Sequence, residues 1–444
     1  MSAAQVLRAN LGKTLTVWTP EDKDFWVREG QAIANINLWI SMPALFLAFA
    51  VWQLWSVVAV NLPVLGFKFT PNQLFWLAAA PALSGATLRI FYSFMVPVFG
   101  GRRWTAISTA SLLIPSIGIG LAIQDPTTQY GTFLILALLC GFGGGNFSSS
   151  MANINFFFPK ERKGSALGLN AGLGNLGVSA VQFMAPLVIA AGVYGPLGGE
   201  PQTVVKAGQT ITMWAQNAAY VWVPFILVCT IAAWVGMNDI ASAKASVSEQ
   251  AVIFKRKHTW IMSWLYLGTF GSFIGYSAGF PLLIKSQFPE VSALAYAWMG
   301  PLVGAVIRPF GGWLSDKLGG ASVTFWNFLV MTAAVFGVLW FLDHHSFAGF
   351  FACFMVLFLT TGIGNGSTFR MIPIIFPPKE ASPVLGFSAA LAAYGGFFIP
   401  KSYGTSLELT GGPEAALYVF IFFYFTCIAL TWWYYSRKGA EMPC

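Results

Sequence analysis

Leu83-Ser-Gly-Ala-Thr-Leu-Arg89 has a counterpart 219 residues further on, Leu302-Val-Gly-Ala-Val-Ile-Arg308. Leu, Gly and Arg hold the same places in both. Moving outward, Gly143, Gly145-Asn146 and Ser148 recur at the same offset as Gly362, Gly364-Asn365 and Ser367. Pro159-Lys160-Glu161 recurs as Pro378-Lys379-Glu380, and one deletion later Leu167-Gly168 matches Leu385-Gly386. Order and spacing persist from residue 83 to residue 168, so the chain is internally duplicated. A transmembrane helix needs about 20 mostly apolar residues. Twelve such stretches run over 35–61, 73–99, 104–123, 131–157, 164–191, 215–237, 260–284, 292–314, 322–342, 347–376, 383–410 and 414–435. The expectation is an all-α polytopic membrane protein in which two six-helix halves are pseudo-symmetric. The N-terminal bundle covers 35–237 and the C-terminal bundle 260–435. A Lys/Ser/Glu-rich linker, 238–259, joins them, and polar segments 1–34 and 436–444 flank them.

Composition excludes the alternatives. Of the 444 residues 56% are apolar and 9% charged, against about 25% charged in a soluble domain. That pattern is neither a cytosolic enzyme nor a disordered chain. Aromatics at 16% suit lipid-facing and interfacial surface. The five cysteines (Cys140, Cys229, Cys353, Cys427, Cys444) are scattered singly, with no CxxC and no metal-ligand spacing. The first 34 residues lack the short apolar core of a cleavable signal. Span 1 is therefore expected to act as its own insertion signal.

The basic residues set the orientation. The termini and the loops after even-numbered spans take 17 of the 24 Lys and Arg, while the opposite side takes Lys68, Lys206, Lys285 and Lys401. Both termini are thus expected in the cytoplasm, with the protein multi-pass in the cytoplasmic (inner) membrane. The net charge of +8 reads as loop bias and calls for no nucleic-acid partner.

Three cations remain, Arg89, Arg308 and Arg370, and all lie inside the expected spans. Arg89 and Arg308 fall near mid-depth. There an arginine costs at least about 2.5–3.5 kcal/mol. None of the 16 acidic residues reaches that depth; Asp316 and Glu408 stand at span ends. Two related guanidinium groups without a carboxylate point to an anionic substrate. The planar fork suits a small flat oxyanion, because it can bind two oxygens at once. Arg370 lies near a span end, its repeat partner is Met151, and it is expected to snorkel. Spans 4, 5 and 11 are rich in glycine, which allows close helix packing and also bending. Asn146, Asn153, Asn170 and Asn175 are amides in apolar surroundings. Each could donate to an oxyanion or staple helices. Tyr266 and Phe270 are four apart, hence on one helical face.

The run Gly311-Gly-Trp-Leu-Ser-Asp-Lys-Leu-Gly-Gly320 resembles the cytoplasmic loop motif of the major facilitator superfamily. The first-half copy around Tyr92–Arg103 lacks its acidic residue. Gly168–Gly177 of span 5 and Ser388–Pro400 of span 11 resemble the paired nitrate signatures of the nitrate/nitrite porter family, and Gly141–Pro159 and Gly268–Gly279 resemble it too. The resemblance spans nearly the whole chain. It implies the major facilitator fold. It implies that Arg89 and Arg308 clamp the anion, that Phe147 and Phe270 sandwich it, and that Asn175 and Tyr266 hydrogen-bond to it. It further implies glycine hinges at Gly144, Gly172, Gly174, Gly395 and Gly396, and a gating loop at Asp316 and Lys317. Within the family the chain looks more like the nitrate/nitrite exchangers than the proton-linked importers, and its loop Pro377–Pro383 is short.

A physical argument runs the same way. Two uncompensated arginines repel across a cleft, and a bound monoanion relieves the repulsion and permits closure. A carrier that reorients only when loaded is an exchanger, here of nitrate (in) against nitrite (out). All three histidines, His258, His344 and His345, are expected in loops, leaving no proton carrier at mid-depth. Proton-coupled nitrate symport is the alternative, and an anion channel a further one. No enzymatic site is expected, and no cofactor or metal. The expected partners are nitrate and nitrite anions and the lipid bilayer, with the protein a monomer.

Overall fold

A computed structural model describes residues 3–206, 209–242 and 251–444. The middle of the linker, with Lys244 and Glu249, lies outside the described residues. Twelve helical spans are long and apolar enough to cross a membrane: Lys23–Asn61, Pro71–Tyr92, Gly101–Gln124, Tyr130–Phe157, Lys160–Ile189, Asn217–Gly236, Lys257–Gln287, Ala293–Leu318, Gly320–Asp343, Phe347–Ile375, Pro383–Thr410 and Glu414–Ser436. They are spans 1 to 12 below.

The largest departure from the hydropathy reading is at the start. Span 1 begins at Lys23, well inside the polar segment. Asp22 caps it, accepting from the backbone of Asp24 and Phe25. Trp26, Ile33 and Ala34 then bury against Phe157, Phe158 and Ala166 at the junction of spans 4 and 5. A window average misses this extension because its charged residues outnumber the few apolar ones, such as Trp26, that face the bundle. Span 2 opens on a complete capping box, Thr70 with Gln73, and Pro71 at its first position.

Among the described residues four strands lie outside the helices. β1 (Thr14–Leu15) pairs in parallel with β4 (Asp239–Ile240), so the N-terminal segment is pinned to the start of the linker. β2 (Gln202–Lys206) and β3 (Gln209–Met213) form an antiparallel pair between spans 5 and 6. Asp239 accepts from the Arg102 backbone at 2.9 Å and from its Nε at 3.3 Å. At the other terminus Glu441 pairs with Lys257, and the Cys444 carbonyl accepts from Ala321 at 3.0 Å. The Lys257 ammonium holds the Glu441 carboxyl below its usual range. Both termini, the linker and the loops after even-numbered spans therefore meet at one end of the bundle, the terminal end. His258 is not in a loop. It occupies the first turn of span 7, buried, with Nδ1 2.9 Å from the Tyr435 hydroxyl and Nε2 3.2 Å from Glu441. A polar sequence before a span hides the fact that the helix begins there.

Glycine sets how closely the spans approach. A Cβ on Gly144 would stand 2.7 Å from the Trp52 ring and 2.8 Å from Gly85 Cα. On Gly174 it would meet Leu45 at 2.7 Å, and on Gly396 Ala82 at 2.7 Å. On Gly395 it would fall 2.4 Å from Gly271 Cα, where only backbone could yield. Gly172 has nothing within 4 Å. Span 5 runs unbroken through Gly172 and Gly174, whereas span 11 breaks at Tyr394, immediately before Gly395. Close packing thus accounts for four of the five glycines.

Gly395→Val should therefore destabilise the protein by about 1–3 kcal/mol through overpacking. Gly172→Ala should change stability by less than about 1 kcal/mol. Thermal unfolding midpoints in detergent check both. Equal shifts for the two variants would contradict the packing account.

Candidate anion-binding site

Span 2 carries Arg89 into the middle of the bundle, where it is fully buried. Gly144 on span 4 lets the guanidinium reach backbone: Arg89 Nε donates to the Gly144 carbonyl at 2.9 Å. Its Nη1 donates to the Ala389 carbonyl on span 11, in the other half, at 2.8 Å. Its Nη2 has no partner. The guanidinium carbon lies 5.0 Å from the centre of the Trp52 ring, 4.7 Å from Phe147 and 5.2 Å from Phe270. Such ring faces stabilise a cation without neutralising it.

Arg308, its repeat partner on span 8, is also buried. Its Nη2 donates to the Tyr266 hydroxyl at 3.4 Å, its Nη1 has no partner, and its guanidinium carbon is 5.3 Å from the Phe369 ring. Tyr266 lies within electrostatic reach of both arginines.

Span 7 presents the aromatic wall. Its helix widens to a π turn over Leu267–Gly271, between regular segments. Such turns concentrate at functional sites. Tyr266 and Phe270 stack with ring centres 5.5 Å apart and planes 18° apart. Phe270 in turn faces Phe147 of the other half at 6.3 Å and 26°. A flat ion lying between two rings needs roughly 7 Å between them, so the rings must part slightly to admit one. The shared-face reading of Tyr266 and Phe270 holds, while the π turn itself carries no signal in the sequence.

Asn175 lies mid-way along span 5, fully buried, and neither its amide oxygen nor its nitrogen has a partner. A buried amide left wholly unpaired is costly. The other amides differ. Asn170 donates to Ser150 at 2.8 Å and Asn146 to the Ser108 carbonyl at 3.3 Å, so both work partly as staples.

Two intramembrane charges need correcting. Arg370 does not simply snorkel: its Nε is paired with Asp316, which with Lys317 lies in the last turn of span 8 and not in the loop the motif leads one to expect. Lys317 of the same motif sits 4.2 Å from the Trp313 ring. Lys401, counted above with the loops, stands inside span 11. The partner of Arg370 is 54 positions away in sequence, on another span, so nothing local announces it.

A cavity of about 280 Å³ starts at Arg89 and runs toward the terminal end. Phe147, Met151 and Asn155 of span 4, Phe369 of span 10 and Leu385 and Phe387 of span 11 line it. The far end is shut between the halves. Ser179 donates to the Trp298 carbonyl at 3.0 Å and Gln182 to the Ser277 carbonyl at 2.8 Å. Asn72 bonds both Lys401 and Glu408 there. The arrangement is a permanently positive pocket, walled by aromatics, with free N–H donors on each half.

Comparison with known proteins agrees with this architecture. The Major Facilitator Superfamily profile matches residues 44–400. The chain is 51% identical over 449 residues to the nitrate/nitrite transporter NarU of Escherichia coli (strain K12), covering 95% of this chain and 96% of that protein. It is 43% identical over 447 residues to the probable nitrate/nitrite antiporter NarK2 of Thermus thermophilus, covering 99% and 100%. Among solved structures, a bacterial homolog of the human lysosomal transporter Spinster, inward-facing and occupied, superposes with a TM-score of 0.67 at 16% identity, covering 89% of this chain and 95% of that one. A D-xylose-proton symporter also gives 0.67, at 14% identity over 89% and 96%. These two show the shared fold. With twelve spans in two related halves, a full-length superfamily match and close relatives over almost the entire chain, the protein belongs to the nitrate/nitrite porter family of the Major Facilitator Superfamily.

Proposed function

We propose that the protein exchanges nitrate for nitrite across the cytoplasmic membrane by alternating access, with the anion held between Arg89 and Arg308. The observation that carries this reading is the free guanidinium nitrogen on each arginine: Arg89 Nη2 and Arg308 Nη1 are buried without partners. The names of the relatives, nitrate/nitrite transporters and antiporters, supply the substrate class.

The two arginines belong to opposite halves, so one anion binding both draws the halves together. Phe147 and Phe270, also from opposite halves, close over its faces and exclude water. That raises the strength of each charge-assisted hydrogen bond. Tyr266, already bonded to Arg308, and Asn175, with both amide atoms free, complete the donor set. Without an anion the positive charges oppose full closure, so the empty carrier stays open and return requires a second anion. With the termini in the cytoplasm, as the basic residues argue, the cavity running from Arg89 faces inward. The ion-paired Asp316 and Arg370 and the nearby Lys317, at the terminal ends of spans 8 and 10, act as the gate on that side. Gly395, at the break in span 11, is where bending would occur.

Lysine in place of either arginine keeps the charge and loses the fork. Losing one charge-assisted bond costs about 1.5–3 kcal/mol, so Arg89→Lys and Arg308→Lys should each lower nitrate transport by roughly 10- to 100-fold. Uptake of isotopically marked nitrate into proteoliposomes measures this, and full activity in both variants would remove the clamp.

Coupling is tested in voltage-clamped proteoliposomes without a pH gradient. Nitrate entry should require trapped nitrite or nitrate. Entry into empty vesicles driven only by an inward proton gradient would instead mean symport.

A further inference from the structure

Lys401 is an ammonium inside a membrane span. Span 11 runs Pro383–Thr410, and an ionisable group at such a place marks function more often than structure. Its Nζ donates to Asn72 Oδ1 at 3.0 Å and to Thr405 Oγ1 at 2.7 Å, and it lies 5.1 Å from the centre of the Trp76 ring. Both hydrogen-bonding partners are neutral, so neither cancels the charge. Glu408, two turns along the same helix, is held instead by the other end of the Asn72 amide. Asn72 thus stands as a neutral wedge between lysine and carboxylate.

The geometry ties this lysine to the transport cycle. Asn72 and Trp76 belong to span 2, in the N-terminal half, whereas Lys401, Thr405 and Glu408 belong to span 11. Gly404 brings the two spans into contact: a Cβ there would meet Asn72 Oδ1 and Phe75 Cβ at 2.8 Å. Parting the halves at the far end removes Asn72 and Trp76 from the ammonium and leaves only Thr405. Lys401 then faces the opened mouth with an unfilled donor position. It stands 12 residues beyond Ala389, whose carbonyl holds Arg89, which is about 18 Å along the helix. The path therefore carries a cation on span 11 at the mouth and, at the centre, the span 2 guanidinium that span 11 holds through Ala389.

We propose that Lys401 is a transient docking station for the small inorganic monoanion at the far mouth, unmasked when Asn72 withdraws. This rests on the anion-transport reading above. A single ammonium is a strongly hydrated point charge without a fork. It concentrates anions at the entrance without gripping one shape, and so passes its ligand on to the arginines.

The test compares nitrate KM at the two faces of vesicles holding the protein in one known orientation. Lys401→Gln should raise KM at the far face by about threefold to tenfold, leave KM at the terminal face unchanged, and abolish the rise of far-face KM with added salt. Lys401→Arg should keep the parent values. Equal shifts at both faces, or a changed maximal rate with neither KM moved, would make Lys401 only a latch and overturn the proposal. Should Lys401→Gln fail to fold, Lys401→Cys treated with an aminoethyl thiosulfonate restores the charge in the assembled protein. Recovery of the far-face KM, absent with a neutral reagent, supports the docking role, and no recovery overturns it. A parent protein that moves no nitrate would overturn the transport reading and this inference together, whereas a parent that transports with a symmetric Lys401→Gln overturns the inference alone.

Discussion

Two guanidinium groups buried without a carboxylate are the constraint around which this bundle is built. In a low-dielectric interior an unpaired charge is expensive. The protein meets that cost for Arg89 with two backbone carbonyls and three aromatic faces. Carbonyl dipoles and ring faces hold a cation and leave its charge in place. The site therefore keeps a positive field that a carboxylate would have cancelled. Reaching the Gly144 carbonyl requires spans 2 and 4 to touch at Gly85 and Gly144, so the glycines and the arginine are one device.

The bonds within each half differ in kind from the bonds between halves. At the terminal end the ion pairs Arg102–Asp239, Arg256–Glu380, Lys257–Glu441 and Arg370–Asp316 each join one half to itself or to the linker or tail adjoining it. Such pairs are individually weak, but they fix loops to helices and let each half move as a body. Between halves, among the described residues, the polar side-chain contacts are hydrogen bonds rather than ion pairs, beside ring contacts such as Phe147 with Phe270. Arg89 reaches Ala389, Thr87 meets Tyr394 at 2.8 Å, and Ser179 and Gln182 reach carbonyls of spans 8 and 7. A typical hydrogen bond contributes about 0.5–1.5 kcal/mol net. A seal made of a handful of them can open and close within a transport cycle. Asn72 fits this rule, since its neutral amide keeps Lys401 and Glu408 from forming a direct ion pair at the interface.

Span 5 shows how one helix serves both purposes. Asn175, Ser179 and Gln182 follow one another at helical spacing on the face turned to the other half. Ser179 and Gln182 are spent on the far seal, and Asn175 is left unpaired. A single polar stripe thus runs along span 5 from Asn175 to the closed gate.

The number of spans, the duplication and the isolated mid-depth arginines are legible in the amino-acid sequence alone. These rest on one-dimensional quantities: hydropathy over a window, an offset of 219, and a count of charges. The resemblance extended that reading to Phe147, Phe270, Tyr266 and Asn175. Which polar groups already have partners depends on how the helices pack. Asn146 and Asn175 look alike in sequence, yet one has a carbonyl to bond and the other nothing. Arg370 and Arg308 are both span arginines, but Asp316 stands beside the first alone. Lys401 falls inside the expected span 383–410, yet its partners Asn72 and Trp76 are known only once span 2 is laid against it. Hydrogen-bond partners and charge pairs here join residues up to 336 positions apart. That pairing is set by helix packing, which no local pattern encodes.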